Sequence, residues 1–422
     1  MNQIRNESVF TWAAPPLKFG DGAVDEVADE VARLGGESCL VITDPGVRDT
    51  GTPDRIVAQL QAAGIKCELF DGVAVEPTDE SIELAVAHAR QQEWDCYIAV
   101  GGGSAIDTAK AVNLLTTHPG ELLDFVTPPI GEGKTPWLPL KPLIAIPTTA
   151  GTGSESTTIC VVDMLRLHLK AGISHPSLRP VLAIVDPTTT LSLPPEVTAA
   201  SGMDVLSHAL ESYTSVAYDA KPAPEDPTKR PAFCGSNPIS DVWCEMALKL
   251  VGANLRRAVM NGRDRRARHE MALASTYAGT GFGNAGTHLP HANAYPIAGA
   301  VKDYRAVGYP EMPMVPHGQA VSVTAPQVFR WTYPGDPERH LRAAGLLSGQ
   351  TYTKVDGADA LAHVLKELMA DIGIPSSLAD FGYTPDDVEN LVAGTMKQTR
   401  QLAVVPRPVT PEALTSVFRD SF

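Results

Sequence analysis

Short apolar runs alternate with amphipathic stretches through the first 195 residues of this 422-residue chain. Cys39–Thr43 (CLVIT) reads as a strand, and Pro53–Ala63 (PDRIVAQLQAA) as a helix whose Ile56, Val57 and Leu60 share one face. The strand pattern returns at Cys67–Phe70, Tyr97–Val100, 143–147 (LIAIP) and 181–187 (VLAIVDP), with helical periodicity at Ile82–Arg90 and Ser104–Leu115. Strands interleaved with helices predict a parallel sheet covered on both faces. From about Pro194 the period changes. The stretches 194–215, 239–260, 264–282 and 358–372 all repeat apolar residues at helical spacing, and few strand signals remain. The expected division is an α/β domain over residues 1–195 and an all-α domain over 196–422. Asp219–Pro238, rich in proline and charge, reads as a loop insertion at a domain surface or cleft rim.

Composition narrows the function classes. A hydrophobic fraction of 44% with 20% charged residues is ordinary for a globular chain with a sizeable core. The net charge of -15 argues against nucleic acid and anionic membrane as partners, since both require basic patches. No run of 18 apolar residues occurs, and the first residues lack a basic stretch followed by an apolar one. A cytoplasmic location is therefore expected. None of the six cysteines forms a CxxC pair, and several lie inside apolar runs, as reduced core thiols do.

Two segments rich in glycine and hydroxyl residues follow strands. In GGGSAIDTAKA (101–111), small residues allow close backbone approach, and Ser104 can cap the helix that follows. Free N–H groups at such a helix start favour a pyrophosphate, although GxGxxG is absent and a plain strand-to-helix turn is the competing reading. IPTTAGTGSE (146–155) supplies the second loop. Loops at the carboxyl ends of parallel strands are where open α/β sheets bind ligands. Asp44, at the end of VITD, can accept hydrogen bonds from an adenosine ribose, or simply serve the turn before Pro45.

A metal constellation comes from farther along. Asp204 and His208 are four apart, on one face of a helix; alone they read as a structural hydrogen bond before a metal pair. With His291 and His317 they make one carboxylate and three imidazoles, a donor set for iron(II) or zinc. Such an ion lowers an alcohol's pKa or polarises a carbonyl.

GGGSAIDTAK, PTTAGTGSE, AIVDP, GMDVLSHALESY and the H-x25-H pair ending in VPHG resemble, in order and across essentially the whole chain, the iron-containing (group III) alcohol dehydrogenase family. The likeness is greatest to its hydroxyacid–oxoacid transhydrogenase branch, through VEPTDES (75–81), PLKPLIAIPTTAGTGSE, ALESYTS, RPAFCGSNPISDVW and GFGNAGTHLPHANAYPIAG. The resemblance implies the dehydroquinate synthase-like fold: an α/β dinucleotide-binding domain and an all-α domain, with NAD and a metal, Fe2+ or alternatively Zn2+, in the cleft between them. It implies Asp204, His208, His291 and His317 as metal ligands. It also implies Gly102, Gly103, Ser104 and Asp107 around the pyrophosphate, Thr148, Thr149 and Ser154 on the nicotinamide side, Lys170 near the nicotinamide ribose, and Asp44 favouring NAD over NADP. Asp186 reads as a structural strand-end residue. The family's usual segment is H-x3-H-P-L-G. Aligned on Pro296, His291 is its first histidine and Tyr295 stands in place of the second, so the substrate proton leaves through the cofactor ribose hydroxyls, water or Tyr295, with Tyr295 and His291 the candidate catalytic residues. His288 falls outside the ligand set, as a supporting residue.

The implied activity is hydride transfer between an alcohol or hydroxy acid and NAD. As a transhydrogenase the enzyme keeps NAD bound while a hydroxy acid such as 4-hydroxybutyrate reduces it and an oxo acid such as 2-oxoglutarate reoxidises it. As a plain dehydrogenase it exchanges NAD and takes alcohols or aldehydes. Lys229, Arg230, Lys302 and Arg305 are candidate cations for an acid substrate, or solvated surface residues. A non-redox enzyme of dehydroquinate synthase type and a non-catalytic scaffold fit the ordered motifs less well. Family members are commonly dimers or larger, so a homo-oligomer is expected.

Overall fold

The computed structural model describes residues 6–167, 169–227, 230–231 and 233–422, which form two compact units. The first, Ala14–Ser192, contains strands β1 (Leu17–Phe19), β2 (Ser38–Ile42), β3 (Lys66–Phe70), β4 (Cys96–Gly101), β5 (Leu143–Pro147), β6 (Ile159–Met164), β7 (Leu169–Ser174) and β8 (Leu182–Val185). Its helices are α1 (Val27–Arg33), α2 (Pro45–Arg48), α3 (Thr52–Ala62), α4 (Asp79–Ala89), α5 (Gly103–Thr117) and α6 (Leu122–Phe125). Six strands form one parallel sheet in the order β1-β8-β5-β4-β2-β3.

Alternate side chains of the central strands serve two cores. Leu40, Ile42, Tyr97, Ala99, Leu143 and Ala145 belong to one, and Cys39, Val41, Cys96, Ile98, Val100, Ile144 and Ile146 to the other. A strand buried on both faces carries no polar alternation, which is why these runs are continuously apolar. All six cysteines are free, and five are buried. The path runs outward from β2 to β3 but in the opposite direction from β4 to β5, so the reversal falls between β2 and β4. Open sheets bind ligands beyond the carboxyl ends at such a reversal. Asp44 follows β2 there, and Gly101–Ser104 lead from β4 into α5.

Two features depart from the sequence expectation. β1 is a three-residue edge strand beside β8, too short to show a period. β6 and β7 pair antiparallel as a separate two-stranded sheet, from segments whose mixed polarity hides the strand pattern.

The second unit, Leu193–Phe422 with the leading residues to Ala13, is helical. It contains α7 (Pro195–Thr214), α8 (Pro238–Met260), α9 (Arg265–Ala285), α10 (Leu289–Gly299), α11 (His317–Thr332), α12 (Pro337–Ser348), α13 (Asp359–Asp371), α14 (Val388–Met396), α15 (Thr399–Leu402) and α16 (Pro411–Arg419). Asn237 and Asp264 cap α8 and α9 by accepting from the Ser240 and Ala267 N–H groups. The leading segment joins this unit, where a boundary at residue 195 would leave it with the sheet. Asn284 clamps Ala13, accepting from its N–H at 2.9 Å and donating to its carbonyl at 3.0 Å, and Glu7 pairs with Arg230 at 2.9 Å. Lys221, Pro222 and Arg230 of the Asp219–Pro238 stretch thus contact Asn6 and Glu7. Among the described residues, no helix is long and apolar enough to cross a membrane.

Candidate metal and nucleotide sites

In the helical unit, α7 carries Asp204 and His208 one turn apart, and both are buried. Gly318 brings α11 against α7: a Cβ on it would lie 1.8 Å from the Ala200 carbonyl oxygen. Only glycine permits that approach, and it seats His317, the first residue of α11, beside Asp204. The third histidine, His291, comes from the first turn of α10. The Nε2 atoms of His208, His291 and His317 lie 3.7, 3.5 and 3.8 Å from Asp204 Oδ1, and those of His208 and His291 are 3.0 Å apart. Four donors around one ion with bonds of about 2.1 Å would be separated by roughly 3.4 Å. Asp204, His208 and His291 have that spacing, their donor atoms all within 4.8 Å of one another, while His317 joins them through its 3.8 Å approach to Asp204.

The hydrogen bonding also fits a cation. Asp204 Oδ1 is buried without a hydrogen-bond partner, although buried polar atoms are normally satisfied. Phe282 stacks on the His208 ring at 3.8 Å between centroids and fixes its plane. Burial, reinforced by the neighbouring imidazoles, pushes His208 down to about 3 against the pull of Asp204, leaving a neutral ring. Burial would raise the Asp204 carboxyl, but the imidazoles hold it well below the usual range. Burial likewise works against charge on His291, yet the Glu211 and Asp204 carboxylates outweigh it and hold that ring up at about 9. The cluster thus draws one positive charge to the place a divalent cation would take.

Tyr295 is buried on α10, one turn beyond His291 on the same face. His288 caps α10 away from the four donors. Its Nε2 meets Thr214 Oγ1 at 3.0 Å, and its Nδ1 accepts the Leu289 N–H at 2.6 Å. Burial pushes it well below its ordinary value, so it stays neutral.

In the α/β unit, the two small-residue loops touch. A Cβ on Gly102 would lie 3.2 Å from Thr149 Oγ1, and one on Gly103 would lie 2.6 Å from Thr152 Cγ2. Thr148 donates its N–H to the Gly101 carbonyl at 3.0 Å. Asp44 stands beside them: its Oδ2 would be 3.4 Å from a Cβ on Gly101, while its Oδ1 caps α2 through the Val47 N–H. Burial raises its carboxyl. Gly102, not Ser104, is the N-cap residue of α5. Ser104 lies inside the first turn, where its hydroxyl accepts the Glu76 N–H at 3.1 Å. Glu76 in turn pairs with the buried Lys170 on β7.

Asp107 and Ser154 are committed internally. Ser154 donates its hydroxyl to Asp107 Oδ1 at 2.5 Å, and Asp107 Oδ2 accepts the Val161 N–H at 2.8 Å. The fully buried Lys110 ties them together, donating to Ser154 Oγ, the Ser154 and Ile159 carbonyls and Thr157 Oγ1 at 2.7–3.0 Å. Asp186 accepts N–H groups from Gly22, Val24 and Thr188, a strand-end cap as expected. Of the candidate substrate cations, Arg230 is paired with Glu7 and Lys302 with Asp387, and Arg305 donates to the Glu311 carbonyl. Lys229 lies outside the described residues.

Sequence reading missed Glu76, Lys110 and Glu211. Lys110 and Glu211 sit on helices where a charged residue normally faces water, so nothing local marks them as buried.

A parallel sheet with ligand loops at its reversal, accompanied by a helical unit with a carboxylate–imidazole centre, defines a metal-dependent nucleotide oxidoreductase. Residues 15–187 match the model for "Iron-containing alcohol dehydrogenase", and residues 232–422 that for "Fe-containing alcohol dehydrogenase family, C-terminal". The chain belongs to the iron-containing alcohol dehydrogenase family. Within that family its likeness is to the transhydrogenase branch. The mitochondrial hydroxyacid–oxoacid transhydrogenase of Xenopus tropicalis is 44% identical over 422 residues, covering 99% of this chain and 91% of that protein. Among solved structures, 1,3-propanediol oxidoreductase superposes with a TM-score of 0.85 at 31% identity, over 98% of this chain and all of that one. Sulfoacetaldehyde reductase from Bifidobacterium kashiwanohense, in complex with NAD+, gives 0.81 at 28%, over 98% and 99%.

Proposed function

We propose that this enzyme transfers hydride between a hydroxy acid and an oxo acid through NAD that stays bound, as a hydroxyacid–oxoacid transhydrogenase. The observation that carries the metal half of this reading is the convergence of three imidazole Nε2 atoms on the unpartnered Asp204 Oδ1. Identity of 44% to the Xenopus enzyme supports the substrate class. Asp204, His208, His291 and His317 hold the ion, for which the family favours Fe2+ and the donor set also suits Zn2+. The bound ion supplies Lewis acidity at the substrate oxygen, and NAD supplies the hydride acceptor.

The chain's own residues bind, orient and move a proton. Gly102 and Gly103 let the α5 start approach the pyrophosphate, whose charge the first-turn N–H groups of α5 favour. Ser104 and Lys170, linked through Glu76, line the same approach, with Lys170 near the nicotinamide ribose. Thr148 and Thr149 border the nicotinamide side, and Asp44 accepts from the adenosine ribose. Asp107 and Ser154 act by locking the second loop to α5 through Lys110. Tyr295 relays the substrate proton in the position where most of the family has histidine.

The test is turnover of 4-hydroxybutyrate with 2-oxoglutarate and no added NAD, on protein of measured metal content. Turnover without added cofactor is the expected result. Turnover only with added NAD and simple alcohols would replace this reading with an ordinary alcohol dehydrogenase or aldehyde reductase.

A further inference from the structure

α7 carries a third polar residue on the ligand face. Glu211 follows Asp204 by seven positions and His208 by three, which returns it to the same side of the helix. It is completely buried, and it makes no contact a ligand would make. Its two oxygens divide their work. Oε1 meets His291 Nδ1 at 2.6 Å. Oε2 accepts the backbone N–H of His288 at 2.6 Å and that of His291 at 3.3 Å, at the start of α10.

We infer that Glu211 is the positioning residue of the metal site: by accepting the His291 Nδ1 proton it leaves the Nε2 lone pair free and aimed at Asp204 and His208. The inference rests on the reading that these side chains hold a divalent ion. The two ring nitrogens of a neutral histidine are never both acceptors, and the partner of one decides what the other can do. A carboxylate behind the ring fixes the ligating tautomer, locks the ring plane and makes the ligand more basic. The bonds to α10 add a second constraint, because the same side chain places the backbone on which His291 is built.

Glu211→Gln separates the two roles. The Oε2 position faces two N–H donors, so only the amide oxygen fits there. The amide NH2 is then forced to the Oε1 position, against His291 Nδ1. That nitrogen must accept, so its proton moves to Nε2 and blocks the ligand atom. The anchor of α10 survives while the ligand tautomer is reversed.

The test titrates wild-type and Glu211→Gln apoprotein with Co(II) and with Zn(II), and follows the Co(II) visible absorption and the thermal unfolding of both apo forms. A loss of about 10–100-fold in affinity with an altered Co(II) spectrum and near wild-type apo unfolding is the expected outcome. Wild-type affinity and spectrum in the variant overturn the inference. A wild-type protein that binds neither ion overturns the metal reading itself, a distinguishable failure. If the variant does not fold, 15N-histidine NMR of Zn(II)-loaded wild type decides: His291 must carry its proton on Nδ1, and a proton on Nε2 overturns the inference.

Discussion

Replacing Gly103 by alanine puts a methyl group where Thr152 already stands. The new Cβ would lie 2.6 Å from Thr152 Cγ2 and 2.9 Å from its Oγ1. Carbon atoms settle at about 3.5 Å or more, so the α5 start and the second loop must part by roughly 0.9 Å. Thr152 cannot easily turn away, because its hydroxyl accepts the Ser154 N–H at 3.2 Å. Overpacking of this kind costs about 1–3 kcal/mol of stability. A displacement approaching 1 Å in a ligand-positioning loop is worth up to about 100-fold in function. NADH binding, followed by its fluorescence on nucleotide-stripped protein, is expected to weaken about 10–100-fold in Gly103→Ala. Adding Thr152→Ser removes the closest clashing atom but leaves the hydroxyl oxygen 2.9 Å from the new Cβ, so the double variant is expected to recover part of the affinity. Unchanged binding in the single variant would refute the claim that the two loops need this close approach. Failure of the double variant to recover would refute the clash as the cause.

Three further outcomes follow from the same geometry. Asp204→Ala removes the oxygen on which three imidazoles converge, and the purified protein is expected to fold but to carry well under one ion per chain by elemental analysis, with turnover at background. Tyr295→Phe is expected to lower kcat about 100-fold or more and to change the pH profile; an unchanged rate and profile would remove Tyr295 from the relay. Burial pushes the Glu155 carboxyl up to about 7. Between its unfolded value near 4.5 and about 7 the folded state holds the extra proton, so this group's contribution to stability is full below pH 4.5 and is lost as pH rises through 7. Glu155→Gln, by urea unfolding, is expected to match wild type near pH 5 and to exceed it by about 1–3 kcal/mol at pH 8; equal slopes across that range would count against a buried, neutral Glu155.

Legibility from sequence followed burial and locality. The strands β2, β4, β5 and β8 were readable because a parallel strand buried on both faces is apolar throughout. α7 to α9 and α13 were readable from period alone. The pair Asp204 and His208 could be placed on one helix face from spacing, and His291 and His317 from motif. β1 and the β6–β7 pair were not readable, because three residues or a half-polar segment carry too little period. Ser104 resembles a helix cap because serine commonly is one; the backbone instead caps α5 two residues earlier, at Gly102, and the Ser104 hydroxyl accepts the Glu76 N–H.

By itself, then, the sequence determined what is local: the order of elements, the two apolar faces of the strands, the glycines at the loops and the kinds of donor available for a metal. The tertiary structure decided which of those donors meet. Asp204 and His317 are 113 positions apart, and only the glycine contact of α11 on α7 brings them within 3.8 Å. It also decided the fate of charges that helical periodicity would assign to solvent. Lys110 is enclosed by five acceptors, and Glu211 is spent on a histidine eighty residues away. The physical reason is the same in each case: a buried charge is tolerated only where partners are in place, and those partners come from chain segments whose separation along the sequence carries no trace of their proximity.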